Sequence, residues 1–301
     1  MGTTTRILLW VIAIAGVAGS SVAYICHRRD TNRLRAVARA ATVDVRTPAD
    51  RAIALMRWVH HHTATAKNRD HFVLSALGPT PVQVLETGGD CADRSRLLVA
   101  LLNALDIPGT MALCFDRDTG RPSHTVVEAR VGPAAFMVLD PTYQLCFPKP
   151  DGNGYYGLLD LRREPEILDR RLDQRCEQTP RYRPIHWYDR RRAAYDTAST
   201  INWNRNAVSR ITHDAAWLLW GDIVYHMPRP GTFASPQLAC ALLCTTVTAA
   251  ASLSIALGRR RVRRLVAVTP AGRSDAPYLT QPPGPLPGLL STDNESSICG
   301  L

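Results

Sequence analysis

Two long uncharged apolar runs stand near the ends of the chain, and shorter periodic segments fill the space between them. Leu8 to Ile25 follows a short N-terminal stretch ending in Arg6 and Ile7, and as a helix it can cross a bilayer core of ~30 Å. Ser21-Val22-Ala23 resembles a signal-peptide cleavage site. The run is longer than the ~7 to 15 residues of a secretory apolar core, so an uncleaved anchor is the reading adopted. Leu238 to Leu257 carries no charge and leads into Arg259-Arg260-Arg261-Val262-Arg263-Arg264, a second predicted span.

Between the spans the pattern alternates between helical and extended periods. Arg33 to Ala41 reads as a short basic helix. Thr47-Pro48-Ala49-Asp50 starts another, with Thr47 as N-cap, Pro48 in the first turn and Asp50 complementing the dipole. Ile53, Leu55, Met56 and Val59 form its buried side. Gly78-Pro79-Thr80-Pro81 breaks the chain before a brief helical piece, Val82 to Glu86. From Ala92 to Leu105, Leu97, Leu98, Leu101, Leu102 and Leu105 recur at steps of three and four, the mark of an amphipathic helix facing a core. Three strands follow: Thr110 to Phe115, Thr125 to Val131 and Ala135 to Leu139, with turns at Asp116 to Arg121 and Gly132-Pro133. Gly152 to Tyr156 reads as a loop, and Leu158 to Arg175 and Arg205 to Tyr225 as helical. The proline-rich residues after Val268 lack the pattern of a folded core.

The predicted fold class is α+β: a helix packed on an antiparallel sheet, flanked by two transmembrane helices. The organisation expected is an anchor at 1–26, a juxtamembrane segment at 27–47, a core at 48–145, an extension of that domain at 146–235, a second span at 236–258 and a basic, then disordered, tail at 259–301.

Charge adds a partner. The 301 residues carry a formal net charge of +10, and Lys67 and Lys149 are the only lysines among 36 basic side chains. Arginines flank the spans or scatter through helical segments, rather than forming one basic face interleaved with aromatics, which argues against nucleic acid and for anionic lipid headgroups. The cluster after Leu257 places the C-terminus in the cytoplasm, whereas Arg28, Arg29, Arg33 and Arg35 pull the other way. Long domains translocate despite their charge, so the central domain is expected outside the cytoplasm.

Of eight cysteines, Cys26, Cys240 and Cys244 lie in or beside the apolar runs and Cys299 in the tail. Cys91, Cys114, Cys146 and Cys176 remain, too few for a disulfide scaffold. In an exported domain Cys114 can pair with Cys146 or Cys176. The alternative is buried, unpaired thiols.

The chemistry concentrates in Gly88-Gly89-Asp90-Cys91-Ala92-Asp93-Arg94. Asp90 is placed to cap the helix that Cys91 opens, setting the sulfur near unpaired amides and the positive end of the dipole, which favours thiolate. Gly88 and Gly89 allow close backbone approach. A hairpin through a three-residue loop, Val131-Gly132-Pro133, pairs Arg130 with Ala134 and brings His124 opposite Asp140, on one face and within contact. A two-residue loop would instead oppose Asp140 to Thr125 and part them. With contact made, Cys91 is the candidate nucleophile, His124 the base and Asp140 the residue that fixes the ring tautomer. The Cys91 amide is the first candidate for an oxyanion, and Gln83 the second. His60-His61-His62 and His71 suggest a metal, but consecutive helical histidines diverge and no matching second cluster follows, so no metal or other cofactor is expected.

These residues resemble the transglutaminase-like superfamily over about 48–145. The resemblance rests on Gly89-Asp90-Cys91-Ala92-Asp93, Leu97 to Leu105, Gly109 after Ile107-Pro108, Ser123-His124-Thr125-Val126-Val127 and Val138-Leu139-Asp140-Pro141-Thr142-Tyr143. It implies a papain-like core with Cys91, His124 and Asp140 as its catalytic residues. Thr125 and Ala135-Phe136 stand where many members carry other aromatics, which bears on the substrate groove. The function implied is a membrane-anchored cysteine enzyme acting on a peptide or protein amide through a thioester, with hydrolysis, as a peptidase or amidase, expected over crosslinking. A non-catalytic scaffold that keeps the core only to bind a partner is the reading from another class. A polar, aromatic segment, Tyr188-Asp189-Arg190, Tyr195-Asp196 and Ile201 to Asn206, either covers the site or forms an ordinary core under a loop.

Overall fold

The computed structural model describes residues 3–66, 70–73, 75–178, 194–228 and 235–268, with the backbone alone for 176–178 and 261–268. Helix α1 (Thr3–Ala40) joins the first apolar run and the predicted basic helix into one element. From Ser20 to Ala40 there is neither glycine nor proline to end it. Helix α8 (Pro236–Val268) likewise continues through the arginine cluster. Both α1 and the Pro236–Arg260 part of α8 are long and apolar enough to cross a membrane.

These two helices pack through small side chains. Ala13, Gly16 and Ala23 are buried along α1, Ser20 Oγ lies 3.0 Å from Thr245 Oγ1 and Thr248 Oγ1 donates to the Ala13 carbonyl at 3.4 Å. A Cβ on Gly16 would sit 2.2 Å from Thr248 Oγ1. Close backbone approach between helices in an apolar medium depends on such residues. The chain divides into two units, 1–255 and 256–301, and the described part of the second is the end of α8.

Helices α2 (Pro48–His62), α3 (Pro81–Thr87) and α4 (Cys91–Ala104) follow α1. Thr47 caps α2 through the Asp50 amide, as its sequence predicts. Strands β1 (Gly109–Phe115), β2 (Pro122–Arg130), β3 (Phe136–Asp140) and β4 (Leu145–Cys146) form an antiparallel sheet in chain order. The short β4 carries too little periodicity to be read from sequence. One sheet face, with Val127, Ala129, Met137 and Leu139, packs against Leu97, Leu98, Leu101 and Leu102 of α4. Leu34 and Ala38 of α1 enter this same core.

The other face, with Ala112, Cys114, Val126 and Val138, is covered by Leu158 and Leu161 of α5 (Leu158–Arg163), Ile167, Leu168 and Leu172 of α6 (Glu166–Gln178), and Tyr195. Pro165 splits the predicted Leu158–Arg175 helix in two. Helix α7 (Ala207–Trp220) follows, and a 3-10 turn over Gly221–His226 completes the region read as Arg205 to Tyr225.

The β2–β3 hairpin corrects the predicted register. Arg130 pairs with Phe136 instead of Ala134. The loop keeps three residues but moves on by one: the Val131 amide donates to the Ala135 carbonyl at 2.9 Å, leaving Gly132 to Ala134 as the turn. Val131 packs against the α4-side core, and the Arg130 guanidinium donates to the Gly132 and Pro133 carbonyls at 3.3 and 2.7 Å. Packing of this partly buried β-branched side chain keeps Val131 paired across the hairpin instead of in the turn.

Of the two alternatives for Cys114 and Cys146, a disulfide or buried unpaired thiols, the structure shows the second. Both thiols are free and buried, Cys114 on the α5/α6 face and Cys146 on the α4 face, with the sheet between them. The Cys176 side chain, Tyr188-Asp189-Arg190 and the tail after Val268 lie outside the described residues.

Gly16→Leu is expected to lower the thermal unfolding midpoint of the full chain in detergent, because leucine cannot fit against Thr248. Val17→Leu, on the exposed side of α1, is expected to leave the midpoint unchanged in the same scan.

Candidate active site

Local sequence sets the thiol in place. Asp90 Oδ1 accepts from the Ala92 and Asp93 amides at 2.9 and 3.1 Å, so α4 begins at Cys91. The Cys91 amide has no hydrogen-bond partner among the described residues. Unpaired amides of a first helical turn are the donors an anion finds there. Gly88, with φ of +80°, meets the Ala64 carbonyl, 2.4 Å from where a Cβ would stand, and the Gly89 position would bring a Cβ to 2.3 Å from Asp93 Cβ. The Gly89 amide donates to the Ala64 carbonyl at 3.0 Å, and residues 64–66 run beside the pair. These contacts explain the two glycines. The buried Arg94, which donates to the Thr63 carbonyl, and Arg96, bonded to Asp93 and the Pro79 carbonyl, tie the flanking loops to α4.

His124 starts the buried part of β2, and Ser95 of α4 donates to the neighbouring Thr125 carbonyl at 3.0 Å, joining helix to strand here. Its Nε2 lies 2.7 Å from Asp140 Oδ2. The Cys91 side chain lies near enough to the ring to favour its charged form, and with Nε2 committed to Asp140, Nδ1 is the nitrogen left for sulfur. The contact forms although the register places Asp140 across from Val126. A slip of two residues keeps side chains on their face, whereas a slip of one reverses them. His124 and Asp140 are therefore diagonal neighbours, and their long polar tips close the ~7 to 8 Å between such positions.

Asp140 is fully buried and its oxygens are well supplied. Oδ2 accepts from His124 and from the Tyr195 hydroxyl, and Oδ1 from the Thr142 and Tyr143 amides at 2.8 and 3.0 Å. Burial opposes its ionisation, but the His124 charge and these hydrogen bonds prevail and hold the carboxyl below its ordinary range. Burial likewise opposes charge on His124. The Asp140 carboxylate, its hydrogen bond to the ring and the nearby Cys91 outweigh it, and the ring pKa is pushed up to about 10. The Tyr143 ring stands 5.1 Å from the imidazole, and its hydroxyl is pushed up to about 12 by burial first and then by the charges of Asp140 and Cys91.

Two cysteines thus lie near one ring. Cys114 stands directly across β1–β2 from His124, but it is completely buried and its thiol is raised well above the ordinary value, chiefly by desolvation. Cys91 is only half-buried.

Gln83, the second oxyanion candidate, takes part in a capping box: its Oε1 accepts from the Thr80 amide at 2.8 Å while Thr80 Oγ1 accepts from the Gln83 amide at 3.1 Å. That turns Oε1 onto the start of α3 and leaves Nε2 as the group able to donate. His60 and His61 are engaged with the turn after β3, His60 Nδ1 with the Pro141 carbonyl at 3.1 Å and His61 Nε2 with Gln144 at 3.3 Å.

Tyr195 is the site residue that motif reading did not assign. It lies 55 positions beyond Asp140, on a 3-10 turn (Tyr195–Thr197) pinned to β1 by Thr197 and by Ser199, which exchanges backbone hydrogen bonds with Leu113. The aromatic, polar composition around it was the available signal, and composition does not say which tyrosine turns inward.

Residues 35–141 match the model of the Transglutaminase-like superfamily. No curated protein matches the chain. Among solved structures, a candidate cysteine protease from Cytophaga hutchinsonii aligns at 19% identity and a TM-score of 0.32, over 37% of each chain. A candidate protease from Parabacteroides distasonis ATCC 8503 aligns at 14% identity and a TM-score of 0.27, over 41% of this chain and 30% of that one. The aligned stretch spans well under half the length of either protein.

The raised ring pKa makes stability depend on pH. The folded ring holds its proton up to about 10, against 6.5 for an unperturbed histidine. The pair therefore contributes fully below about 6.5 and loses its contribution as pH rises towards 10. Thermal midpoints of the full chain between pH 6 and 10 are expected to fall more steeply for the native chain than for His124→Gln. Tyr195→Phe removes one donor from the buried carboxylate and is expected to cost about 1.5 to 3 kcal/mol of stability in denaturant titrations.

Proposed function

We propose that the chain is a membrane-anchored, transglutaminase-like cysteine enzyme that cleaves an amide bond through a thioester on Cys91. The carrying observation is the convergence of a half-exposed thiol at a helix start with a buried histidine backed by a hydrogen-bonded carboxylate. The family match over 35–141 contains all three residues.

The geometry supports the following sequence. An imidazolium beside the sulfur favours thiolate, which attacks the amide carbon. The developing oxyanion is within the province of the Cys91 amide, with Gln83 Nε2 as a second donor. His124 gives its proton to the leaving nitrogen as the C–N bond breaks, leaving a thioester. It then takes a proton from the incoming nucleophile, whose attack expels the thiolate. Asp140 keeps Nε2 as the donor towards itself throughout, and so presents Nδ1 to the reaction. Water as nucleophile gives a peptidase or amidase, and an amine gives a crosslinker. We favour water, which needs no acceptor site of its own. Both apolar helices act as anchors in this reading, with the domain outside the cytoplasm.

The test is alkylation of the full chain in detergent by an iodoacetamide probe at neutral pH, with labelled peptides mapped by mass. Cys91 is expected to label far faster than the buried Cys114 and Cys146, and Cys91→Ala to abolish that peptide alone. His124→Ala is expected to slow amide turnover by about 10²- to 10⁴-fold, the usual worth of a positioned acid–base group. Equal labelling of all three thiols, or unchanged turnover in Cys91→Ala, would refute the enzyme and leave a binding scaffold. Product analysis with added primary amine separates hydrolysis from transfer, and reporter fusions near Asp151 read the topology.

A further inference from the structure

Helix α7 carries an apolar surface that nothing in the catalytic reading uses. Its inner side meets the domain: Ala216 is buried and His213 hydrogen-bonds the Tyr225 hydroxyl at 3.2 Å. Its outer side holds Val208, Ile211, Ala215, Leu218 and Leu219, spaced to form one stripe along the helix. The large members are 72%, 69%, 80% and 71% exposed for Val208, Ile211, Leu218 and Leu219. Trp217 and Trp220 at its C-terminal end and Ile223 just beyond are also largely exposed. No charge interrupts the stripe, while Arg210 and Asp214 stand on its flank. A soluble surface rarely leaves so continuous an apolar strip uncovered.

Its position beside the candidate span bears on what covers it. Ser209, in the first turn of α7, lines one cavity with Ser235, Pro236 and Ala239 at the start of α8. Leu242 and Leu243, in the next turn of α8, are exposed as well. The first turn of α7 therefore lies beside the start of the candidate span. We propose that α7 is an interfacial helix, lying in the plane of the membrane with Val208, Ile211, Leu218 and Leu219 among the acyl chains and its tryptophans at headgroup level. This placement rests on the membrane anchoring proposed above, and it adds a third contact that holds the domain down on the bilayer.

Photo-crosslinking of the full chain in phosphatidylcholine–phosphatidylglycerol vesicles tests it. Ile211→p-benzoylphenylalanine and Leu218→p-benzoylphenylalanine are compared with the same replacement at Val17 in α1 and at Asp118 in the β1–β2 turn. Lipid adducts detected by mass at 17, 211 and 218, and absent at 118, are the expected result. Adducts at 17 but not at 211 and 218, or crosslinks from 211 and 218 to a second copy of the chain, would overturn the interfacial placement and leave the spans standing. No lipid adduct at any position would overturn the anchoring along with it.

Discussion

A carboxylate without exposed surface is costly to keep charged, and Asp140 is kept so by donors drawn from three separate parts of the chain. The turn after β3 gives two amides, β2 gives an imidazole, and the segment after α6 gives a phenol. Remove any one of these and a buried acceptor goes short. The requirement works outward: the turn at Pro141 is held by His60 at the end of α2, and the Tyr195 turn is stitched to β1. The carboxylate thereby fixes how helices on one side of the sheet relate to strands and turns on the other.

Two thiols stand near the ring that this carboxylate holds. Cys114 and Cys91 both approach His124, yet one stands beneath a sheet and a pair of helices and the other at an open helix start. Burial in the first case disfavours thiolate, while in the second, backbone dipoles and a protonated ring lie to hand. Solvation, with the ring held in common, separates the buried Cys114 from the partly exposed Cys91.

Sequence shows much of this and stops at identifiable places. Caps are local, so Thr47, Asp90 and the helix that Cys91 opens were legible from residues three or four apart. The face shared by His124 and Asp140 was legible too, because strand parity survives an even slip. The register itself was not: whether Val131 belongs to strand or turn depends on packing against α4, which no local pattern reports. Tyr195 escaped for a stronger reason, since its role is set by a partner 55 residues away. Gln83 caps α3 through Oε1, a local role that its candidacy as an oxyanion donor does not reveal. Cys114 and Cys146 looked like possible partners because their spacing says nothing of the sheet between them.

Helix α1 passes from its apolar stretch into the domain core without a hinge, with Gly16 packed against α8, Ala23 buried farther along, and Leu34 and Ala38 packed beside α4. From Ala23 to Ala38 an unbroken helix rises about 22 Å. Under the anchoring proposed above, such a strut holds the pocket at a set distance from the apolar stretch, because an unbroken helix neither bends nor extends between them. Lengthening the strut by a few residues would also rotate the pocket about the helix axis, because rise and turn along a helix are inseparable.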